Sequence, residues 1–527
     1  TPLSSSSGNY LGCLDWVARV TEHVTEATSN SPGANVVNLS GTGCGTVGSK
    51  ADLVITDPPY YDAIPYSDLA DFFYVWLKRT QGHRRPEWFS TYLCDHSEEA
   101  VVNVSRHRDG AEKAAEAKLK AHEFYQKVMT EAFREAHRVL RDDGVLTVMF
   151  THKAQSAWGA LFSSLIDAGF SISATWPVQT ESQHSLHQAR KNAAQSTVLL
   201  VARKRDPDAG IAYYNDIEDD IRQAARSAAA RLREQGLNSV DQLVGAFGPA
   251  MEVLTRYSEV RTGVNEGRVN VTDALQTAAA AVADWREEQL AQRGLAGVDS
   301  ESRFFLLCWD VLAAAEVRFN EVMMLGRAVG MDVDRMKETG LVEKVSEKVK
   351  LLPASARRRE KPIHSEQEQM TLLGLAGGGR GKRGAQRKVH PQDEFFATAI
   401  DVCHALALRY QEAGGGPVGI GAVRQMALKN NWKADAPCAR LMEALVAAAP
   451  VAVRFAGKGK ATTAADLFPE FRAWHEMLQP LFGTVPPEWK QAEPPKNLFT
   501  HRGLDEATGD DLDEEFEDSE NEENEEE

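Results

Sequence analysis

Four consecutive residues, Asp57, Pro58, Pro59 and Tyr60, combine groups that can activate an amino nitrogen. The exocyclic amino group of a nucleobase is a poor nucleophile because its lone pair is delocalised into the ring. The Asp57 carboxylate and the Pro58 carbonyl can both accept its hydrogens, since proline keeps its C=O although it lacks an N–H. The Tyr60 ring offers a flat face to a base that has left the stack, a contact worth about 1–3 kcal/mol. These residue types fit methylation of an exocyclic amino group by direct displacement.

The flanking elements would present this run at one edge of a sheet. Ala51–Thr56 is apolar and β-branched, which is typical of a buried parallel strand. A helix capped by Ser67 follows, and its apolar residues are predicted to face the core: Leu69, Phe72, Phe73, Trp76 and Leu77. Asp-Pro and Pro-Pro also form ordinary turns. A loop between such a strand and helix, however, lies where open α/β sheets bind ligands.

Residues 1–205 alternate between helix and strand patterns, which predicts an α/β fold with a mostly parallel sheet. The other predicted strands are Val36–Leu39, Val145–Phe150, Ile172–Trp176 and Thr197–Ala202. From about residue 206 to 350 only helical periodicity is visible, over Ile217–Gln235, Gln242–Tyr257, Thr272–Gln292 and Arg303–Leu325.

The run TDPPYYDAIPYSDLADFFYVWLKR (56–79) resembles the large prokaryotic adenine-specific DNA methylases, the DPPY amino-methyltransferases that carry a zinc ribbon. FTHK (150–153), SAW (156–158), TWPVQTE (175–181) and STVLLVARKR (196–205) are also similar to that family. The resemblance covers roughly residues 8–350 and, more weakly, 393–490. It implies a Rossmann-like class I methyltransferase fold, S-adenosylmethionine as cofactor and DNA adenine as substrate. The positions that match its catalytic loop are Asp57, Pro58, Pro59 and Tyr60.

The glycine-rich cofactor loop of such enzymes has no clear counterpart in this chain. Residues 41–48 are rich in glycine but lead into a strand, whereas a loop of this kind should open a helix. Residues 455–459 fit the letters FxGxG in helical surroundings. The chain starts at Thr1, and we expect it to be the carboxyl-terminal portion of a longer methyltransferase. The cofactor loop would then lie upstream or on a partner subunit, and the sheet would lack its amino-terminal half.

Composition and charge divide the chain further. We expect a partial catalytic α/β domain (1–205), a helical domain (206–352), a basic Gly/Arg-rich linker (353–392), a small helical module (393–490) and an acidic disordered tail (491–527). The net charge is −17, but residues 505–527 hold fifteen Asp and Glu and no Lys or Arg. The remaining charge is −2, so the overall acidity does not exclude a nucleic-acid partner.

Further residues are candidates for contacts with DNA. Three residues are expected to line the base pocket: Tyr61, Tyr66 and His152. Tyr61 and Tyr66 lie in the loop, and His152 is at the end of the predicted strand 145–150. The basic residues of the linker are candidates for phosphate contacts, with a solvated linker as the alternative: Arg357, Arg358, Arg359, Arg380, Lys382 and Arg383.

Several classes of protein do not fit. No apolar run reaches the roughly 18 residues of a spanning helix, and no secretory signal opens the chain, so we expect a cytoplasmic protein without membrane contact. The six cysteines are scattered and no metal-ligand set is visible, which fits a reducing compartment. Two alternatives stay open: methylation of cytosine N4, and a non-catalytic DNA-binding or specificity subunit without a cofactor loop.

Overall fold

The chain forms layers of sheet and helix in the computed structural model. The structure describes residues 9–30, 39–43, 50–108, 114–152, 154–178, 197–237, 239–263, 267–291, 293–312, 316–345, 348–368, 386–449 and 468–488. Two compact units divide at residues 47 and 48. The first contains helix α1 (Tyr10–Ala27), which begins where the Asn9 side chain accepts the Gly12 N–H at 2.7 Å.

The second unit contains a four-stranded mixed sheet. Its strands are β1 (Ala51–Thr56), β2 (Leu140–Phe150), β3 (Phe170–Val178) and β4 (Thr197–Lys204), in the spatial order β1-β2-β4-β3. β1 pairs with β2 in parallel, and β4 is antiparallel to both β2 and β3. The sheet is therefore mixed and not mostly parallel by pairing, although β1, β2 and β3 all run in one direction.

Local sequence patterns predicted these four strands well. The bounds of β1 are as expected, and the other three contain the runs 145–150, 172–176 and 197–202. Of the candidate strand at 36–39, residues 36–38 lie outside the described residues, and Leu39 is not in a strand. The helix predicted after β1 is α2 (Tyr66–Gln81), and two further helices, α3 (Ala114–Val139) and α4 (Gln155–Asp167), alternate with the strands.

Residues 206–352 combine helices with short strands, so the expectation of helices alone was wrong. β5 (Ile211–Tyr213) pairs with β6 (Glu259–Arg261), and β7 (Glu316–Arg318), β8 (Val342–Val345) and β9 (Lys348–Leu351) form a second small sheet. The helices are α5 (Tyr214–Glu234), α6 (Ser239–Gly245), α7 (Phe247–Thr255), α8 (Val271–Leu290), α9 (Ser300–Leu307) and α10 (Phe319–Ala328). Strands of three or four residues carry too little periodicity to be recognised from sequence.

One continuous core joins the sheet to these helices. Helix α7 packs against β3 at Gly248, where an added Cβ would lie 1.9 Å from the Thr175 side chain. The Thr255 hydroxyl at the end of α7 accepts the Ile172 N–H at 2.9 Å. The expected divisions at 205/206 and 352/353 therefore fall inside one compact unit.

The carboxyl-terminal part adds α11 (Ala399–Glu412), α12 (Gly416–Lys429), α13 (Pro437–Ala448) and α14 (Glu470–Phe482). The two described stretches of the expected linker are tied together: Val389 N–H donates to the Arg357 carbonyl and Arg359 N–H to the Val389 carbonyl, both at 2.8 Å. Here the chain is held by backbone hydrogen bonds and does not form a free linker. Among the described helices, none combines the length and apolar character needed to cross a membrane.

Candidate active site

The Asp57–Tyr60 loop follows the carboxyl end of β1 and is anchored to helix α3 by a hydrogen bond. The Pro59 carbonyl accepts the Tyr125 hydroxyl at 2.8 Å and the Tyr61 N–H at 3.0 Å. Tyr125 is fully buried, so this contact is protected from water. Asp57 is exposed and Pro58 is buried, and within the described residues no donor reaches the Pro58 carbonyl. The loop therefore carries two neighbouring acceptors of the kind that an amino group needs, one of them exposed and the other without a described donor.

Tyr60 links the loop to the end of β2. Its ring lies edge-on to Phe150, with centroids 5.5 Å apart and an interplanar angle of 78°. Burial and the neighbouring Asp57 carboxylate raise the pKa of the Tyr60 phenol, so it remains protonated beside that carboxylate.

Tyr61 is buried, at 4% exposure, and does not line an open pocket. Its hydroxyl pairs with His122 Nδ1 at 2.8 Å, and its ring lies edge-on to Tyr125 and His152. The backbone has φ of 56°, a conformation uncommon outside glycine and asparagine. The assignment of Tyr61 to the base pocket is thus corrected: this side chain packs under the loop, because the turn directs it inward.

His152 lies at the carboxyl end of β2, beside the loop, as its position in the sequence suggested. Its Nδ1 accepts the Ala154 N–H at 3.0 Å, so the neutral ring carries its hydrogen on Nε2 and donates it to Asp62 at 2.9 Å. The Trp158 indole N–H donates to the His152 carbonyl at 2.8 Å. Both ring nitrogens are occupied, so His152 ties the loop to the sheet in place of contacting a base.

Tyr66 remains exposed beside the loop, at 41%, and keeps its place as a base-pocket candidate. Burial, followed by the charges of Asp57 and Glu99, raises the pKa of its phenol. Ser67, the predicted cap, lies inside the first turn of α2. Its N–H and hydroxyl both donate to the Glu99 carboxylate, which in turn binds Arg106 at 2.7 Å.

The apolar residues of α2 do not enter the core. Leu69, Phe72, Phe73, Trp76 and Leu77 are all at least 50% exposed. The expectation that they are core residues was wrong, because no described element packs on that face of the helix.

The basic residues expected to bind DNA phosphate have four different surroundings. Arg357 is buried, at 1% exposure, and binds Asp401 at 2.5 Å and His404 at 2.8 Å, so it has no access to a phosphate. One guanidinium nitrogen of Arg359 donates to both carboxylate oxygens of Asp393. Arg358 keeps an exposed side chain, paired with Glu412 at 2.6 Å. Arg380, Lys382 and Arg383 lie outside the described residues.

The described residues do not form a cradle for S-adenosylmethionine. Such a cradle is a glycine-rich turn between a strand and a helix. At this edge of the sheet β1 leads into the two prolines, and β2 leads through His152 into α4, without glycine. Two glycine-rich segments were candidates for this turn. Of residues 41–48, the structure describes only 41–43, which belong to the first unit. Residues 455–459 lie outside the described part. Groups of His, Cys, Asp and Glu able to hold a metal ion are also not found among the described residues.

Sequence reasoning missed the residues that support the loop, namely Tyr125, His122 and Asp62. Tyr125 belongs to a buried series at every fourth position of α3, with Ala121, Met129 and Phe133. Phe124 and Val128, one residue earlier, have the same spacing but are only half-buried, so periodicity alone does not identify the buried face. A polar tip on the core face of a helix beside the loop is the signal that could have identified it.

A family model described as DNA methylase matches residues 51–260. The match begins at β1, contains the whole loop and its supports, and ends at β6. It supports a DNA methyltransferase family, whose members act on adenine N6 or cytosine N4. No curated protein and no solved structure matches the chain.

Proposed function

We propose that this chain carries the base-activating part of a DNA methyltransferase that modifies adenine N6. The observation that carries the proposal is a pair of neighbouring acceptors, the exposed Asp57 carboxylate and the Pro58 carbonyl without a described donor, on a loop fixed at the carboxyl edge of the sheet. The DNA methylase match over residues 51–260 supports the same reaction class.

The reaction would use these residues as follows. The flipped base lies against Tyr60 and Tyr66, and its amino group donates to Asp57 and to the Pro58 carbonyl. These hydrogen bonds withdraw the nitrogen lone pair from the ring, so that it can attack a methyl group directly. The loop is kept in position by the hydrogen bond from Tyr125 to the Pro59 carbonyl and by the contact between Asp62 and His152. This fixed geometry positions the nitrogen for attack. S-adenosylmethionine supplies the methyl group when it is bound.

The cofactor site would come from a further polypeptide segment that lies against β1. Among the residues that the structure describes, this strand is at an open edge of the sheet: Leu53 and Ile55 are 51% and 69% exposed, although strands in parallel pairs are normally covered on both faces. A segment that adds a parallel strand and covers the apolar face of α2 would bury both surfaces. Such a segment is the natural carrier of a glycine-rich turn beside Asp57.

The test is transfer of labelled methyl from S-adenosylmethionine to unmethylated duplex DNA, followed by nucleoside analysis. The chain, alone or together with the polypeptide that completes its cofactor site, should place label on N6-methyladenine, and Asp57→Ala should abolish transfer without changing the circular dichroism spectrum. Asp52→Ala is the matched control, because Asp52 is an exposed carboxylate at the other end of the same strand. Transfer that survives in Asp57→Ala would overturn the proposal.

Three other outcomes would each lead to a different conclusion. Label on N4-methylcytosine would assign the same loop to cytosine. DNA binding without any transfer would favour a non-catalytic DNA-binding subunit, an alternative that the lack of a cofactor cradle in the described residues supports. Transfer that appears only after a second polypeptide is added would identify that polypeptide as the source of the cofactor turn.

A further inference from the structure

Residues 66–106 form an arm that leaves the candidate active site and returns to it. Helix α2 runs outward from Tyr66, and the segment from Gly82 comes back along it. The Asp71 carboxylate accepts the Cys94 N–H at 2.9 Å and pairs with His96 at 2.7 Å. Farther out, the Tyr74 hydroxyl donates to the Thr91 carbonyl at 2.9 Å. The returning segment is thus fastened to the helix and holds the tip of the arm in place.

The base of the arm is joined to the catalytic loop. The Val102 N–H donates to the Tyr61 carbonyl at 2.9 Å, and Glu99 binds the first turn of α2. A helix of 16 residues is about 24 Å long, so the tip lies roughly that far from the loop. The contacts of Val102 and Glu99 therefore fix the distance between the catalytic loop and the tip of the arm.

The tip of the arm, residues 78–88, is strongly basic. It contains Lys78, Arg79, Arg84 and Arg85 against one acidic residue, Glu87, which gives a net charge of +3. Arg79, Arg84 and Arg85 are exposed, and no carboxylate within the described residues pairs with them. The Arg79 and Arg85 guanidinium groups lie 5.5 and 4.9 Å from the ring centroids of Trp76 and Trp88. Each ring supports a guanidinium group while leaving its hydrogen-bond donors accessible.

We propose that the tip of this arm binds the phosphate backbone of duplex DNA on one side of the flipped base. The inference rests on the proposed function, since it extends the same site outward. The charge complementarity favours DNA. When exposed arginines without acidic partners bind phosphates, counterions condensed on the DNA are released. The planar guanidinium can also bind a phosphate with two hydrogen bonds. At 3.4 Å per base pair, 24 Å corresponds to about seven base pairs. The arm thus sets a minimum length of duplex beside the target.

The experiment measures binding of the full chain to a fluorescent 30-base-pair unmethylated duplex at several salt concentrations. The double variant Arg84→Gln/Arg85→Gln removes two tip charges. Arg327→Gln/Lys433→Gln removes two exposed charges from α10 and the segment after α12, and serves as the matched control. Each phosphate contact contributes about 0.9 to the slope of log K against log salt, so the arm variant should lose about 2 from that slope. The control should keep the wild-type slope.

The outcomes separate this inference from the proposed function. A wild-type chain that binds DNA, with an arm variant whose slope equals that of the control, would overturn the role of the arm and leave the catalytic loop untouched. A wild-type chain that binds no duplex at any salt concentration would overturn the DNA substrate, and the arm with it. A second variant, Trp88→Ala, should weaken binding severalfold because it removes the ring that supports Arg85.

Discussion

At the scale of single residues, two adjacent prolines have different tasks. The Pro59 carbonyl is already occupied by Tyr125 and by the Tyr61 N–H, whereas the Pro58 carbonyl has no donor among the described residues. The first anchors the loop, and the second has no described partner and is proposed to accept a hydrogen bond from the substrate. Neither proline has an N–H, so neither adds a backbone donor beside that acceptor.

Tyr125→Phe tests this division. The hydroxyl contact is lost but Pro59 keeps the Tyr61 N–H, so we expect the free energy of unfolding to fall by only about 1 kcal/mol. Methyl transfer should fall more steeply than this, because the loop loses its anchor to α3. Tyr214→Phe is the control, since it removes a similar hydrogen bond, 2.7 Å to Thr277, away from the loop. Equal transfer by the two variants would contradict the anchoring role.

The Asp62–His152 contact makes a second prediction. The hydrogen bond from His152 lowers the pKa of Asp62, so the contact is complete above the ordinary carboxyl pKa of about 4 and is lost as pH falls through the lowered value. Asp62→Asn keeps an acceptor for the histidine N–H and should leave the pH profile of transfer between pH 5 and 9 unchanged. Asp62→Ala removes the acceptor and should slow transfer severalfold. If both variants behave alike, the contact does not position the loop.

At the scale of elements, the sequence predicted what depends on neighbours along the chain. The β-branched run at 51–56 is long enough to identify β1, and the periodicity of the following residues identifies α2 as a helix. Burial was harder to predict, because it depends on elements that are distant in sequence. The apolar face of α2 looked like core but is exposed, and Arg357 looked like a DNA contact but is buried against Asp401.

Glu470, the buried first residue of α14, predicts how the stability of the fold depends on pH. Burial raises the pKa of Glu470 to about 7, while its carboxylate accepts the Ala354 N–H at 2.8 Å. The folded state therefore holds a proton that the unfolded state releases near pH 4.5. Stability from this group is present at low pH and is lost as pH rises from about 4.5 through 7, by up to about 3 kcal/mol. Chemical unfolding of Glu470→Gln should show a flatter pH dependence than the wild type over this range.

The comparison is made as a difference between variant and wild type, because other groups titrate in the same range. Burial raises the pKa of Glu287 to about 7 as well, and this contribution cancels in the difference. Glu366→Gln, at an exposed position, should leave the curve unchanged. A Glu470→Gln curve parallel to that of the wild type would show that Glu470 stays ionised on folding.

At the scale of the whole molecule, the distribution of charge predicts how the chain meets DNA. Residues 505–527 carry −15 of the net −17, and the remainder is nearly neutral. A concentrated negative segment repels phosphate and competes with it for basic surfaces such as the tip of the arm. Removal of residues 505–527 should therefore raise non-specific duplex affinity about tenfold at low salt, and the gain should shrink as salt screens the repulsion. A full-length variant with Gln and Asn at the acidic positions separates charge from bulk: it should bind like the truncated chain, and affinity equal to wild type at 50 mM salt would refute the electrostatic role.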